Sequence, residues 1–230
     1  MSDSRISVIV PVYNGAAFLG EALESVFAQG MDGLELVVVD DGSTDASATV
    51  AESFDGVHVI RQPNAGAAAA RNTGLANTTA PLIAFLDADD VWPEGRLQRL
   101  LHALDTDDSL DAVIGQLEMV VAEHDGFRSV MPPQFGFQFG TALIRRSVFE
   151  TVGMIDESMR YSEDVDWFMR ARETGVRIGQ TQEVTTLYRQ HDDSLTAAPD
   201  DLLLTLAIKR SLDRRRASGT TNLPPLSTAS

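Results

Sequence analysis

Apolar residues in the first half of the chain gather into short, nearly continuous runs, with helically spaced runs between them. "ISVIVPVY" (Ile6–Tyr13) reads as a buried strand, and helical spacing follows through Phe18, Leu19, Ala22, Leu23, Val26 and Phe27. "LELVVVDD" (Leu34–Asp41) predicts a second strand, with Thr44 or Asp45 placed to cap a helix to about Phe54. "VHVIRQ" predicts a third strand and Ala65–Leu75 a helix. "LIAFLDADD" predicts a fourth strand, followed by a helix through Arg96–Leu104 that starts near Pro93. Strands this rich in Val, Ile and Leu, alternating with helices over short links, mark a parallel sheet covered on both faces.

The second half changes character. "DAVIGQLEMVVAE" and "FRSVM", linked by "HDG", predict an antiparallel hairpin. "FGFQFGTALIRR" leads through three phenylalanines into another strand, and "SEDVDWFMRARETG" predicts a helix that stops at Gly175. "VTTLYRQH" is a late strand, and residues 200–216 form a helix with apolar Leu202, Leu203, Leu204, Leu206, Ala207 and Ile208. The polar Pro/Ser/Thr tail, 217–230, is expected to be disordered. The expected fold class is therefore α/β: one Rossmann-like, mainly parallel sheet flanked by helices, with a mixed C-terminal half.

Composition narrows the function. The 230 residues fit one large domain, and the absence of cysteine excludes disulfides and thiolate metal sites. A net charge of −16 argues against nucleic acid, whose phosphates require a basic surface. No apolar run is long enough to cross a bilayer, and "MSDSR" lacks the apolar core of a signal peptide, so a cytoplasmic protein is expected. One segment departs from the acidic balance. Between Lys209 and Arg216, five cations oppose only Asp213, a local charge of +4. A solvated helix end accounts for it, since cations favour a helix C-terminus. Peripheral contact with an anionic membrane is the alternative.

Open parallel sheets bind ligands beyond the carboxyl ends of their strands, and here those ends read "PVYNG", "VDDGSTD", "RQPNAG" and "DADD". In an extended segment Asp87 and Asp89 leave the same face, a pairing that suits a hard cation such as Mn²⁺ or Mg²⁺. The competing account is a helix-start cluster with Asp90 as the cap. Asp40, at a strand end, can accept from a base N–H or a ribose hydroxyl. A plain turn explains Gly42–Asp45 equally well, yet leaves Asp40 without a purpose. "NAGAAAARN" offers backbone N–H groups to a phosphate, with Asn64 and Arg71 as candidate nucleotide-binding side chains. Glu163 and Asp164 follow a potential Ser162 cap, where the helix dipole favours anions, and either a structural or a general-base role fits. His191 ends a strand, where a neutral imidazole would complete an Asp/His metal site.

Taken in order, "VIVPVYNG", "LVVVDDGSTD", "NAGAAAARNTGL", "IAFLDADDVWPEGRL", "FGTALIRRSVFETVGMIDE", "SEDVDWFMRARETG" and "YRQHDDSLT" resemble the family 2 glycosyltransferases. The resemblance runs from Ser7 to about Thr196 and implies a single domain of GT-A fold over residues 1–199. Its nucleotide-binding half would cover about 1–104 and its acceptor half about 105–199. It further implies a nucleoside-diphosphate-sugar donor, with UDP favoured, a divalent Mn²⁺ or Mg²⁺, and inversion at the transferred sugar. Asp40 resembles the acid that binds the nucleobase, with Pro11, Tyr13 and Arg71 as its neighbours. Asp87 resembles the ribose or metal ligand, Asp89 the metal ligand that bridges the diphosphate, and His191 a position that approaches the metal. Asp164 resembles the catalytic base, with Glu163 beside it, ionised at neutral pH by its place in a helix's first turn. The acceptor, a saccharide, lipid-linked or small-molecule hydroxyl, would meet Trp92, Phe139 and Gly140, although Phe135, Phe137 and Phe139 alternate like a strand and core packing fits them at least as well. A sugar-nucleotide binder without catalysis is the alternative. A sugar-phosphate nucleotidyltransferase ranks lower, because "PVYNG" is not its basic Gly-rich loop.

Overall fold

A computed structural model of the chain describes residues 5–124, 126–191, 201–220 and 222–229, with backbone alone for 201–204. The first half follows the apolar pattern: β1 (Ile6–Val12), α1 (Ala16–Phe27), β2 (Leu34–Asp40), α2 (Ser47–Glu52), β3 (Val57–Arg61), α3 (Ala67–Ala76), β4 (Leu82–Phe85) and α4 (Arg96–Thr106). The second half adds β5 (Ala112–Glu123), β6 (Gly126–Ser129), β7 (Gln134–Phe135), β8 (Ala142–Arg145), α5 (Arg146–Val152), α6 (Glu163–Glu173), β9 (Ile178–Arg189), α7 (Asp201–Ser218) and β10 (Ser227–Thr228). All the strands join one sheet, whose main path runs β10-β9-β5-β8-β4-β1-β2-β3. Its β4-β1-β2-β3 half is parallel, whereas β8 runs antiparallel to both β4 and β5.

Strand alternation sorts the core into two layers. Val8, Val10 and Val12 face one side with α1 and α4, through Leu19, Leu23, Leu97 and Leu100. Ile9 faces the other with Phe85, Phe149, Trp167 and Phe168. Phe139 belongs to this second layer at 1 % exposure, 5.3 Å from the Trp167 ring centroid. Trp92, 2 % exposed, lies under the Arg96 guanidinium at 3.9 Å. Gly140 is buried, and its carbonyl accepts from Arg96 Nη2 and Thr186 Oγ1. None of the three expected acceptor residues offers a surface to a sugar: each is buried where aromatic packing is worth more than a solvent-facing ring.

Several boundaries also shift. β4 ends at Phe85, four residues before Asp89, so "LDADD" is a turn rather than strand. α4 begins at Arg96 behind Gly95, which sits at φ 71, rather than near Pro93. The tail expected to be disordered extends α7 to Ser218 and then pairs β10 with β9, with Ala229 N–H donating to Gln180 O. Leu226 and Ala229 supply the apolar contacts that hold it there.

Two cations of the basic run of α7 pair with neighbouring segments. Arg210 pairs with Asp156 at 2.9 Å, and Arg214 reaches Asp166 at 2.8 Å and Glu173 at 2.7 Å on α6. Arg216 pairs with Asp213. Lys209 and Arg216 remain exposed. Among the described residues no helix is long and apolar enough to cross a bilayer. Asp166 is 2 % exposed and also pairs with Arg170 at 3.0 Å, so losing Arg214 leaves it one of two cations. Arg214→Met is expected to cost about 1 kcal/mol, after discounting for the partial exposure of the arginine. That lowers Tm by about 2–4 °C in thermal unfolding followed by circular dichroism.

Candidate active site

Polar groups collect beyond the carboxyl ends of β1, β2 and β4. The loops after β1 and β2 lock together first: Asn14, at φ 51, accepts from Thr44 N–H and donates its own N–H to Ser43 Oγ. Asp45 accepts from Ala16 N–H at the start of α1 and from Ser47 N–H at the start of α2, so one carboxylate serves two helices. Asp40 is 4 % exposed, and its Oδ1 accepts from Ser43 N–H at 2.9 Å. Its Oδ2 has no protein donor among the described residues. Asp41 organises the next loop. It accepts from Gln62 Nε2, Ala65 N–H and Gly66 N–H, and so fixes the exposed segment that carries Asn64. Gly42, at φ 79, is required here because a Cβ would lie 2.8 Å from Asn64 N. Pro11 is buried inside β1, whereas Tyr13 stands 55 % exposed at its end.

The acidic turn divides its carboxylates among different partners. Because β4 ends before it, Asp87 and Asp89 do not share the face an extended strand would give them. Asp87 Oδ1 lies 2.5 Å from Arg71 Nη2 on α3, whereas Asp89 Oδ2 lies 3.2 Å from His191 Nε2 after β9. Asp90 does not cap a helix: it is buried and accepts from Arg189 N–H at 3.1 Å. Burial, followed by repulsion from Asp87, raises the Asp89 carboxyl above its ordinary range, with His191 opposing. Asp90 is raised further, by burial and then by Asp87 and Asp89.

Sequence alone missed the buttress behind His191. Phe18 of α1 packs against its ring, tilted by 32° with the centroids 4.3 Å apart. Arg189 donates to Asp89 O through Nε, pairs with Glu21 at 2.5 Å and lies 5.1 Å from the Phe18 centroid. Phe18 had read only as part of an apolar helical face, and Glu21 carried no signal at all.

Across the turn, α6 presents Glu163 and Asp164. Ser162 does not cap it, since that residue takes the left-handed conformation at φ 57 and makes no side-chain cap bond. Glu163 is buried and accepts from Arg71 Nη1 at 2.6 Å. Among the described residues Asp164 accepts only from Val165 N–H, and it keeps a partial opening to solvent. Desolvation, then the neighbouring Glu163, pushes its pKa up to about 7, and Arg71 opposes the rise. The expectation that the helix start keeps it fully ionised is thus corrected: burial outweighs the helix dipole.

No group of three or more His, Asp or Glu able to cage a metal occurs among the described residues. Asp89 and His191 nevertheless fit a hard cation whose remaining ligands come from a substrate, since Mg²⁺ and similar ions take few protein carboxylates. The crowded carboxylates that raise one another's pKa are the charge such a cation would relieve.

A nucleotide-type parallel sheet with an acidic turn at its carboxyl edge, continued by a mixed half that carries a second acidic helix, defines a GT-A fold. The chain belongs to glycosyl transferase family 2, whose model matches residues 7–153, more than half of its length. It is 28% identical over 226 residues to the uncharacterized glycosyltransferase EpsJ of Bacillus subtilis, covering 84% of this chain and 63% of that protein. It is 30% identical over 210 residues to an uncharacterized glycosyltransferase of Rickettsia typhi, covering 83% and 65%. The chain thus spans less than two thirds of these relatives. Among solved structures, S. aureus TarS 1-349 in complex with UDP-GlcNAc superposes with a TM-score of 0.72 at 22% identity, covering 88% of this chain and 65% of that one. The mannosyltransferase PcManGT of Pyrobaculum calidifontis, in complex with GDP-Man and Mn²⁺, gives 0.70 at 21%, covering 96% and 66%. At those identities the likeness is one of fold.

Proposed function

We propose that this protein transfers one sugar from a nucleoside-diphosphate-sugar, with UDP as the favoured carrier, to a hydroxyl group of a saccharide, lipid-linked or small-molecule acceptor. The reading rests most on Asp164, a partly open carboxyl with a pKa near 7. A general base works best with a pKa close to the working pH. Asp40, with one oxygen uncommitted, supports recognition of a nucleobase N–H or ribose hydroxyl, beside Tyr13 and Asn64.

Asp89 and His191, with Asp87 beside them, would hold Mn²⁺ or Mg²⁺ together with donor oxygens. The cation would neutralise charge on the departing diphosphate. Asp164 takes the acceptor's hydroxyl proton as the acceptor oxygen bonds to the anomeric carbon. The bond from that carbon to the diphosphate breaks on the opposite face, so configuration inverts. Bound diphosphate sugars in both structural neighbours support the donor class, since each adopts this fold.

A donor panel with Mn²⁺ or Mg²⁺ tests the reading by thermal shift and by release of nucleoside diphosphate. At a hundred times Kd, a bound donor stabilises by about 2.7 kcal/mol, which raises Tm by roughly 5–10 °C. If no donor shifts Tm or turns over with either metal, the reading fails.

A further inference from the structure

We propose that the outer face of α7 is a docking surface for an anionic lipid bilayer, independent of the reaction assigned to the active site. Ala207 and Ser211 are buried, and Arg210 and Arg214 pair with Asp156, Asp166 and Glu173, so these four residues mark the side of α7 that packs on the protein. On the other side Ile208, Leu212 and Arg216 follow one another every four residues, with Lys209 beside them, within a helical arc of about 100°. Ile208 and Leu212 are both 43 % exposed, and Leu206 flanks Lys209 at 42 %. Lys209 and Arg216 stand open to solvent. An apolar row and a basic row therefore lie side by side along about 12 Å of one helix.

A solvated helix end does not account for this face. The helix dipole favours cations only within the last turn, and Lys209 lies about two and a half turns before the end of α7 at Ser218. Nor does a solvated end call for Leu206, Ile208 and Leu212 in water. Any phosphate-bearing partner would satisfy Lys209 and Arg216, but only one with an apolar interior also takes the three aliphatic side chains. A bilayer with anionic headgroups offers both. The aliphatic groups enter the acyl boundary while Lys209 and Arg216 extend back to the phosphates. Asp213 opposes this charge and pairs with Arg216 at 3.6 Å. The acidic balance of the rest of the chain acts weakly at this distance, because salt screens charges beyond about 8 Å at physiological ionic strength. The face is also preformed. Besides the arginine pairs, Ser211 Oγ donates to Glu173 Oε1 at 2.5 Å, which fixes α7 against α6 before any lipid is met. Contact therefore carries little ordering cost.

The test is co-sedimentation of the full chain with phosphatidylcholine vesicles that contain about 30% phosphatidylglycerol, against pure phosphatidylcholine vesicles. The chain should partition into the anionic vesicles at least about tenfold better, and lose that preference at about 1 M salt, where screening sets in within about 3 Å. Lys209→Gln with Arg216→Gln should weaken partition by about 30-fold, from roughly fivefold per cation. Ile208→Gln with Leu212→Gln should weaken it by about tenfold, and Asp213→Gln should strengthen it by about fivefold. Because all five side chains are exposed, melting temperatures should stay within about 2 °C of the wild type. The proposal is overturned by absent partition into anionic vesicles, by equal partition into both kinds, or by wild-type partition of both double variants. It is likewise overturned if light scattering without lipid shows a dimer that either double variant dissociates, since a second copy of the chain then covers the face. Should a double variant fail to fold, Asp213→Gln decides alone, and partition no stronger than the wild type's overturns the proposal.

Discussion

Asp164→Asn is expected to lower kcat by about 10²–10⁴-fold, the usual worth of a positioned general base, while UDP affinity changes less than about threefold. The asparagine keeps the shape and the hydrogen bond to Val165 N–H but has no lone pair basic enough to take the acceptor's proton. In the wild type, kcat/KM should fall about tenfold per pH unit below the Asp164 pKa of about 7, and the variant should lose that limb. Stability moves the other way. The folded pKa of about 7 lies above the ordinary aspartate value of 3.8, so the native state binds this proton more tightly than the unfolded chain. The group's contribution to stability is full below about pH 4 and declines up to about 7. Asp164→Asn should therefore melt at a higher temperature than the wild type at pH 8. A sugar-nucleotide binder without catalysis would show no turnover to lose, and steady-state kinetics with the donor identified by the panel separates the two.

Asp89→Ala should abolish metal-dependent turnover, by about 10³-fold or more, because the cation's charge stabilisation is worth several kcal/mol. The Mn²⁺-dependent part of the thermal shift with UDP should vanish with it. Asp89 faces His191, and both the aromatic brace of Phe18 and the Arg189–Glu21 pair hold that side in place. Asp90→Ala should reduce turnover only about tenfold, since its carboxylate accepts from Arg189 N–H inside the protein. Equal activity losses in the two variants, or a preserved Mn²⁺ shift in Asp89→Ala, would remove Asp89 from the metal role.

How much was legible follows from which interactions are local. The parallel half of the sheet, with a ligand edge at its carboxyl ends, follows from strand-period and helix-period runs, each set by neighbours in the chain. Asp40 and Asp89 were singled out because polar residues interrupt those runs at the strand ends. Their partners were not legible, because Arg71–Glu163 spans 92 positions and Asp89–His191 spans 102. Trp92 and Phe139 were ambiguous for the same reason: an aromatic side chain reads alike whether it faces a sugar or the core. Only packing against Arg96 and Trp167 decides.

The sequence by itself determined the strand and helix alternation, the acidic character of the strand ends and the resemblance to a glycosyltransferase family. Tertiary structure alone decided which carboxylates are neutralised, which remain uncommitted and which is raised to a pKa near 7. Those properties depend on burial and on charges brought together from distant segments. The physical reason is that backbone preference and amphipathic period are carried by adjacent residues, whereas desolvation and Coulomb energy exist only once the chain has closed around a group.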